Sequence, residues 1–118
     1  MKPMLSVLAA LAIAAATPAA AEFSKVESVA EFKRLIIGKT LTRPLVRLTV
    51  GTNGAIAGKG AAWSISGNWT WKGGYFCRNL EWGGDDLGYN CMEVRTSGAR
   101  LRFTADQGSG DSADFSLR

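Results

Sequence analysis

Histidine is missing from the 118 residues, and with it most nucleophile–base pairs and most hydrolytic metal sites. Cysteine is scarce. Cys77 and Cys91 are the only two, too few without histidine to close a zinc site, and they lack the CxxC spacing of a redox-active pair. No serine sits in a G-x-S-x-G setting. No glycine follows a strand to open a helix, so a dinucleotide loop is absent. Asp85-Asp86, and the group Asp106, Asp111 and Asp114, lack the alternating carboxylates, central glycine and closing glutamate of a calcium loop. They read as solvated turn residues. One-signed charge is lacking too, with 14 basic against 10 acidic side chains and a net charge of +4, which is no nucleic-acid signature. The chain shows no internal repeat, low-complexity stretch or interdomain linker. These absences point to a non-catalytic protein with no cofactor, metal or nucleic-acid partner.

The first clear pattern is at the start. A charged Met1-Lys2-Pro3-Met4 precedes an apolar run from Leu5 to Ala16, then Thr17-Pro18-Ala19-Ala20-Ala21. The run is shorter than the ~20 residues a spanning helix needs, and the small-x-small ending suits a peptidase. Residues 1–21 therefore read as a signal peptide cut after Ala21, of a Gram-negative style, and the product as periplasmic or secreted. No cysteine follows the cut, so neither a lipid anchor nor stable membrane insertion is expected. Residues 22–118 suffice for a single domain. In an exported chain, Cys77 and Cys91 are expected to form a disulfide. Closing a loop of about 15 residues should stabilise the fold by ~3 kcal/mol.

Residues 22–38 have a helical period, and the helix itself is placed at about 27–37. Ser28 with Glu31 makes a capping box, and Ser24 with Glu27 offers an earlier start. Val29, Phe32 and Ile36 share one face, and Gly38 is a C-terminal stop. From Thr40 the period becomes two. Val46, Leu48 and Val50 alternate with polar residues, and so do Trp63, Ile65, Gly67, Trp69 and Trp71. Phe76, Arg78, Leu80 and Trp82 follow, then Asn90, Met92 and Val94, then Leu101 and Phe103, then Phe115 and Leu117. Turns fall at Gly51–Gly54, at Gly73-Gly74, in a loop from Gly83 to Gly88, at Ser97-Gly98 and from Asp106 to Ser112. The expected fold is mainly β: a small antiparallel meander barrel of seven to eight strands, lipocalin-like in outline, with one N-terminal helix. A β-sandwich is the alternative. A bulge near Gly60–Ala62 is needed to bring Trp63 inward.

Hairpin register sets Cys77 opposite Cys91, Arg78 opposite Asn90, and Trp69 opposite Arg78. Arg78 then falls in an inward slot between Phe76 and Leu80. A guanidinium there needs partners. Arg78, Asn90, Trp69 and Trp71 together could line a pocket for a small anion or carboxylate, with the arginine as a forked donor and the indoles as walls. Alternatively Arg78 snorkels at the barrel mouth, pairs with Glu81, Asp85 or Asp86, or stacks on Trp69. The tryptophans and Phe76, Phe103 and Phe115 have inward parity, which suits either a packed core or a ring-lined cavity.

Several blocks carry a resemblance: Gly38-Lys39-Thr40-Leu41-Thr42-Arg43-Pro44, Trp69-Thr70-Trp71, Gly74-Tyr75-Phe76-Cys77-Arg78, Gly88-Tyr89-Asn90-Cys91 and Leu101-Arg102-Phe103-Thr104. Together they resemble a group of short secreted alphaproteobacterial proteins of the Rhodobacter–Roseobacter type, whose function is not established. Members are often labelled dihydrodipicolinate reductase. Such a reductase has two domains, more than twice this length, a glycine-rich nucleotide loop and a catalytic histidine, so none of its catalytic residues maps onto this chain. The expected function is a periplasmic module binding a small ligand. A protein-binding module, such as an inhibitor or accessory subunit of an envelope enzyme, is the alternative, with a reductase more remote.

Overall fold

Turn chemistry sets the frame. Gly83 and Gly84 both take positive φ, +57° and +92°, the twist that joins two antiparallel strands through two residues. The computed structural model describes residues 22–118, so the signal peptide expected at 1–21 lies outside the described residues. In chain order the elements are β1 (Ser24–Lys25), α1 (Val29–Ile36), β2 (Leu41–Arg43), β3 (Val46–Val50) and β4 (Ala55–Gly60). Then come β5 (Trp63–Lys72), β6 (Tyr75–Trp82), β7 (Asp85–Ser97), β8 (Arg100–Thr104), a 3-10 turn (Asp106–Gly108) and β9 (Ser112–Leu117).

Every strand pairing is antiparallel. Strands β2 to β9 run β7-β6-β5-β4-β3-β2-β9-β8, and β8 pairs back onto β7. The ring is therefore a closed eight-stranded barrel, which rules out the sandwich and leaves no bare edge along the ring. Strand β7 outruns β6, and β1 covers the excess, with Ser24 opposite Thr96 and Lys25 opposite Arg95. Closure needs tight coiling where β4 meets β3 and where β5 meets β6. At Gly58 a Cβ would collide with the Arg47 carbonyl oxygen, and at Gly67 with that of Asn79. Only glycine permits those approaches.

Alternation holds along the strands, so the interior is filled by Val50, Ile56, Trp69, Phe76, Val94, Leu101, Phe103 and Phe115, all buried. Helix α1 plugs one end. Its Phe32 is fully buried, with ring centroids 5.2 Å from Trp69, 5.3 Å from Trp71 and 5.2 Å from Phe76. Ser28 caps the helix by accepting a hydrogen bond from the Glu31 amide at 3.2 Å.

Local expectations are corrected in four places. Helix α1 is shorter than 27–37, because Ser24 and Lys25 pair with β7 and the Val26 amide donates to the Val94 carbonyl at 2.8 Å. The loop from Gly83 to Gly88 is instead the two-residue turn Gly83-Gly84 followed by a bulge. Leu80 pairs with Gly88 and Glu81 with Asp86, leaving Leu87 unpaired. No bulge occurs at 60–62, where Gly60 pairs directly with Trp63 across the turn Ala61-Ala62. Finally, Trp63 and Trp82 keep inward parity but lie at the barrel mouth, 56% and 38% exposed. They pack edge to face at 5.8 Å, and the Trp82 indole donates to the Gly60 carbonyl at 2.9 Å.

Candidate functional site

Strands β6 and β7 carry the site because a disulfide and a hydrogen bond lock their register beside it. Cys77 and Cys91 are opposed and bonded, with their Cα atoms 3.9 Å apart. They occupy the outward parity, so the staple sits outside the core, yet Cys77 is itself buried. The Tyr89 hydroxyl lies 3.4 Å from Cys91 Sγ. Arg78 and Asn90, next along their strands, face the other way and pair across the same ladder.

Arg78 lines a cavity of about 190 Å³ inside the barrel. The other lining residues are apolar, among them Leu48, Leu80, Met92, Phe103, Ala113 and Phe115. Its Nη1 donates to the Gly88 carbonyl at 2.9 Å, and no second acceptor engages the guanidinium among the described residues. No carboxylate there lies within ion-pair range of it, so the pairings with Glu81, Asp85 or Asp86 and the stacking on Trp69 are not formed. Desolvation pushes the Arg78 pKa down from its ordinary value, and the group remains charged at neutral pH. The side chain is half-buried, so the cavity is not sealed from solvent.

The other three expected lining residues go elsewhere. Asn90 spends both ends of its amide on Asp106: Nδ2 donates to Oδ1 at 2.8 Å, and Oδ1 accepts from the Asp106 amide at 3.0 Å. It anchors the 3-10 turn to β7 rather than facing a ligand. Trp69 is buried in the aromatic layer under α1, its indole donating to the Gly51 carbonyl at 2.9 Å. Trp71 is half-buried beside Phe32. Both indoles form the plug's seat and neither lines the cavity. Parity could have supplied Leu48, Met92, Phe103 and Phe115 as walls, but aliphatic residues carry no mark in sequence that separates wall from filler.

Outside the barrel the charges pair with one another. Arg102 Nε meets Asp114 at 2.7 Å, Arg100 joins the same carboxylate at 3.4 Å, and Arg95 meets Glu93 at 2.8 Å. Hydrogen bonds from Arg102 to Asp114 and from Arg95 to Glu93 hold both carboxyls below their usual range. Arg102 also lies 4.0 Å over the Phe23 ring, which ties the segment before β1 to the wall. The described residues contain no metal-binding cluster and no helix long and apolar enough to cross a membrane. No family model, no curated protein sequence and no solved structure matches this chain.

Proposed function

We propose that this chain is an exported, non-catalytic module that binds a small ligand inside its barrel, with Arg78 as the polar anchor. One observation carries the reading: a guanidinium with no counter-ion among the described residues, bonded to a single backbone carbonyl, in the wall of an otherwise apolar cavity. A side chain chosen only for packing there would be hydrocarbon, since even partial desolvation of a charge without a counter-ion costs free energy. The Cys77–Cys91 disulfide favours an oxidising compartment, and with the leader-like residues 1–21 it supports a periplasmic or secreted location. Native mass spectrometry of protein released gently from the periplasm tests the reading. The expected result is extra mass that vanishes on denaturation, on a chain of residues 22–118 less two hydrogens. A bare native mass, with no uptake of any added apolar compound, would overturn it.

A protein-binding module is the second reading. Trp63, Trp82 and Leu87 are exposed at one end of β5, β6 and β7, at 56%, 38% and 50%, with Tyr89 exposed further along β7 at 54%, and exposed aromatic residues are frequent interface anchors. Crosslinking in the periplasm with wild type and with Trp63→Ser separates the two. A partner lost on that substitution supports an interface, while no partner from wild type removes it. A reductase would need bound nicotinamide to stabilise the native state. Saturating NADPH is expected to leave Tm unmoved.

A further inference from the structure

The cavity's size and charge narrow the ligand further than its existence does. A dry cavity of about 150 Å³ admits benzene, whereas drug-sized pockets run to about 300–1,000 Å³. At about 190 Å³ the barrel interior falls just above the first and below the second. Its occupant is therefore a single small ring or a short aliphatic chain.

Charge decides the rest. Arg78 brings one positive charge to the wall, and its only bonded acceptor among the described residues is the Gly88 carbonyl. A neutral hydrocarbon would remove water from the remaining N–H donors and leave them without acceptors, which is unfavourable. A phosphate dianion would bring a second negative charge with no second cation in the lining to meet it. An amino acid would carry an ammonium into a wall without a carboxylate. A monocarboxylate brings one charge, and its two oxygens match the planar guanidinium fork. The opposed Cys77–Cys91 bond fixes β6 against β7 one residue away, so the fork is presented in a set register.

Resting on the binding reading above, we infer that the cavity takes a small apolar monocarboxylate, between benzoate and octanoate in size. The carboxylate sits on Arg78 and the hydrocarbon lies against Leu48, Met92, Phe103 and Phe115. Longer fatty acids exceed the enclosed space, and their remaining carbons, left in the open mouth, add little affinity over octanoate.

Isothermal titration of the oxidised chain, residues 22–118, with octanoate, benzoate, 1-octanol and octylamine tests this. Octanoate is expected to bind at least about tenfold more tightly than octanol, because charge-assisted hydrogen bonds exceed neutral ones, and octylamine should not bind. In Arg78→Met the preference should invert, with octanoate losing about tenfold or more and octanol keeping its affinity. Equal binding of octanoate and octanol, or octanoate binding untouched by Arg78→Met, would overturn the carboxylate class while leaving the binding module standing. No heat and no competition from any of the four would remove the binding module itself. Should Arg78→Met fail to fold, Ala113→Leu decides the matter, since it fills the cavity and keeps the guanidinium. Octanoate affinity must then fall, and affinity retained in that variant would overturn the assignment.

Discussion

Arg78 puts its charge into a wall that is otherwise hydrocarbon, so the same side chain that would hold a ligand burdens the empty fold. Replacing it by methionine should raise the unfolding free energy of the ligand-free protein by on the order of 1 kcal/mol, read from urea denaturation at fixed m-value. The lost bond to Gly88 subtracts from that gain, and a net fall would show that Arg78 holds the β6–β7 bulge more than it burdens the cavity. The exterior carboxylates predict an acid dependence. Asp114 and Glu93 are held below the ordinary range by hydrogen bonds from Arg102 and Arg95, so the folded state releases their protons more readily than the unfolded chain does. Their contribution is in place above the unfolded carboxylate pKa of about 4 and is lost as pH falls through the folded values. Asp114→Asn should accordingly flatten stability against pH below about 4, as followed by thermal melts in a pH series. Period-two alternation made the inward aim of Arg78 legible in the sequence, and hairpin spacing gave its partner across the ladder. The role of Asn90 was not legible, because its partner Asp106 arrives through a loop 16 residues further on. Only the folded path of β8 and the 3-10 turn brings the two together.

Among the elements, α1 has the least backbone attachment and the most consequential side chain. Phe32 packs against Trp69, Trp71, Phe76 and Phe103, whose centroids lie 5.1 to 6.4 Å from it or from one another within that layer. Phe32→Ala should cost about 3–5 kcal/mol by chemical denaturation. Ser28→Ala, which removes only the cap, should cost about 1 kcal/mol. A Phe32→Ala loss no larger than the cap's would mean that the aromatic layer closes without the plug. The β6–β7 pair carries the disulfide, and replacing both Cys77 and Cys91 by alanine should lower stability by ~3 kcal/mol. Strand pairing here was readable because opposed cysteines and glycine turns agree on one register. The bulge at Leu87 was not readable, since a stretch rich in glycine and aspartate reads equally as a loop or as a strand with one residue extra. The start of α1 was obscured for a related reason. Ser24 and Ser28 each offer a cap, and only the pairing of Ser24 with Thr96 decides between them.

For the whole molecule, strand count and spacing pointed to a barrel with a sandwich as the alternative, but closure itself, which rests on β8 pairing back onto β7, and its geometric cost were not legible. Gly58 and Gly67 look like weak points in their strands, yet they are where neighbouring backbones crowd too closely for any side chain. Gly67→Val should therefore do more than destabilise locally. The ring would be forced open along β5 and β6, exposing strand edges, and the expected readout is aggregation or binding of an apolar dye at temperatures where wild type stays monodisperse. A variant that folded with an unchanged melt would show that the sheet can relax around the added volume. The cavity adjoins the aromatic plug and shares Phe76 and Phe103 with it, so a change at Phe32 is expected to reach the wall that bears Arg78.

The plug also has a temporal consequence. The segment holding Val26, Phe32 and Ile36 precedes in the chain every strand that receives it, so the stopper is made before the bottle. Trp69, Phe76 and Phe103 must be arranged before Phe32 has anywhere to go, and until then the eight residues of α1, too few to hold a helix alone, keep their apolar side chains uncovered. Final assembly is thus a docking event between an early segment and a late surface. That order makes the two separable in principle: a peptide of residues 22–38, added to a chain that begins at 39, should seat itself in the open end and restore the cooperative melt.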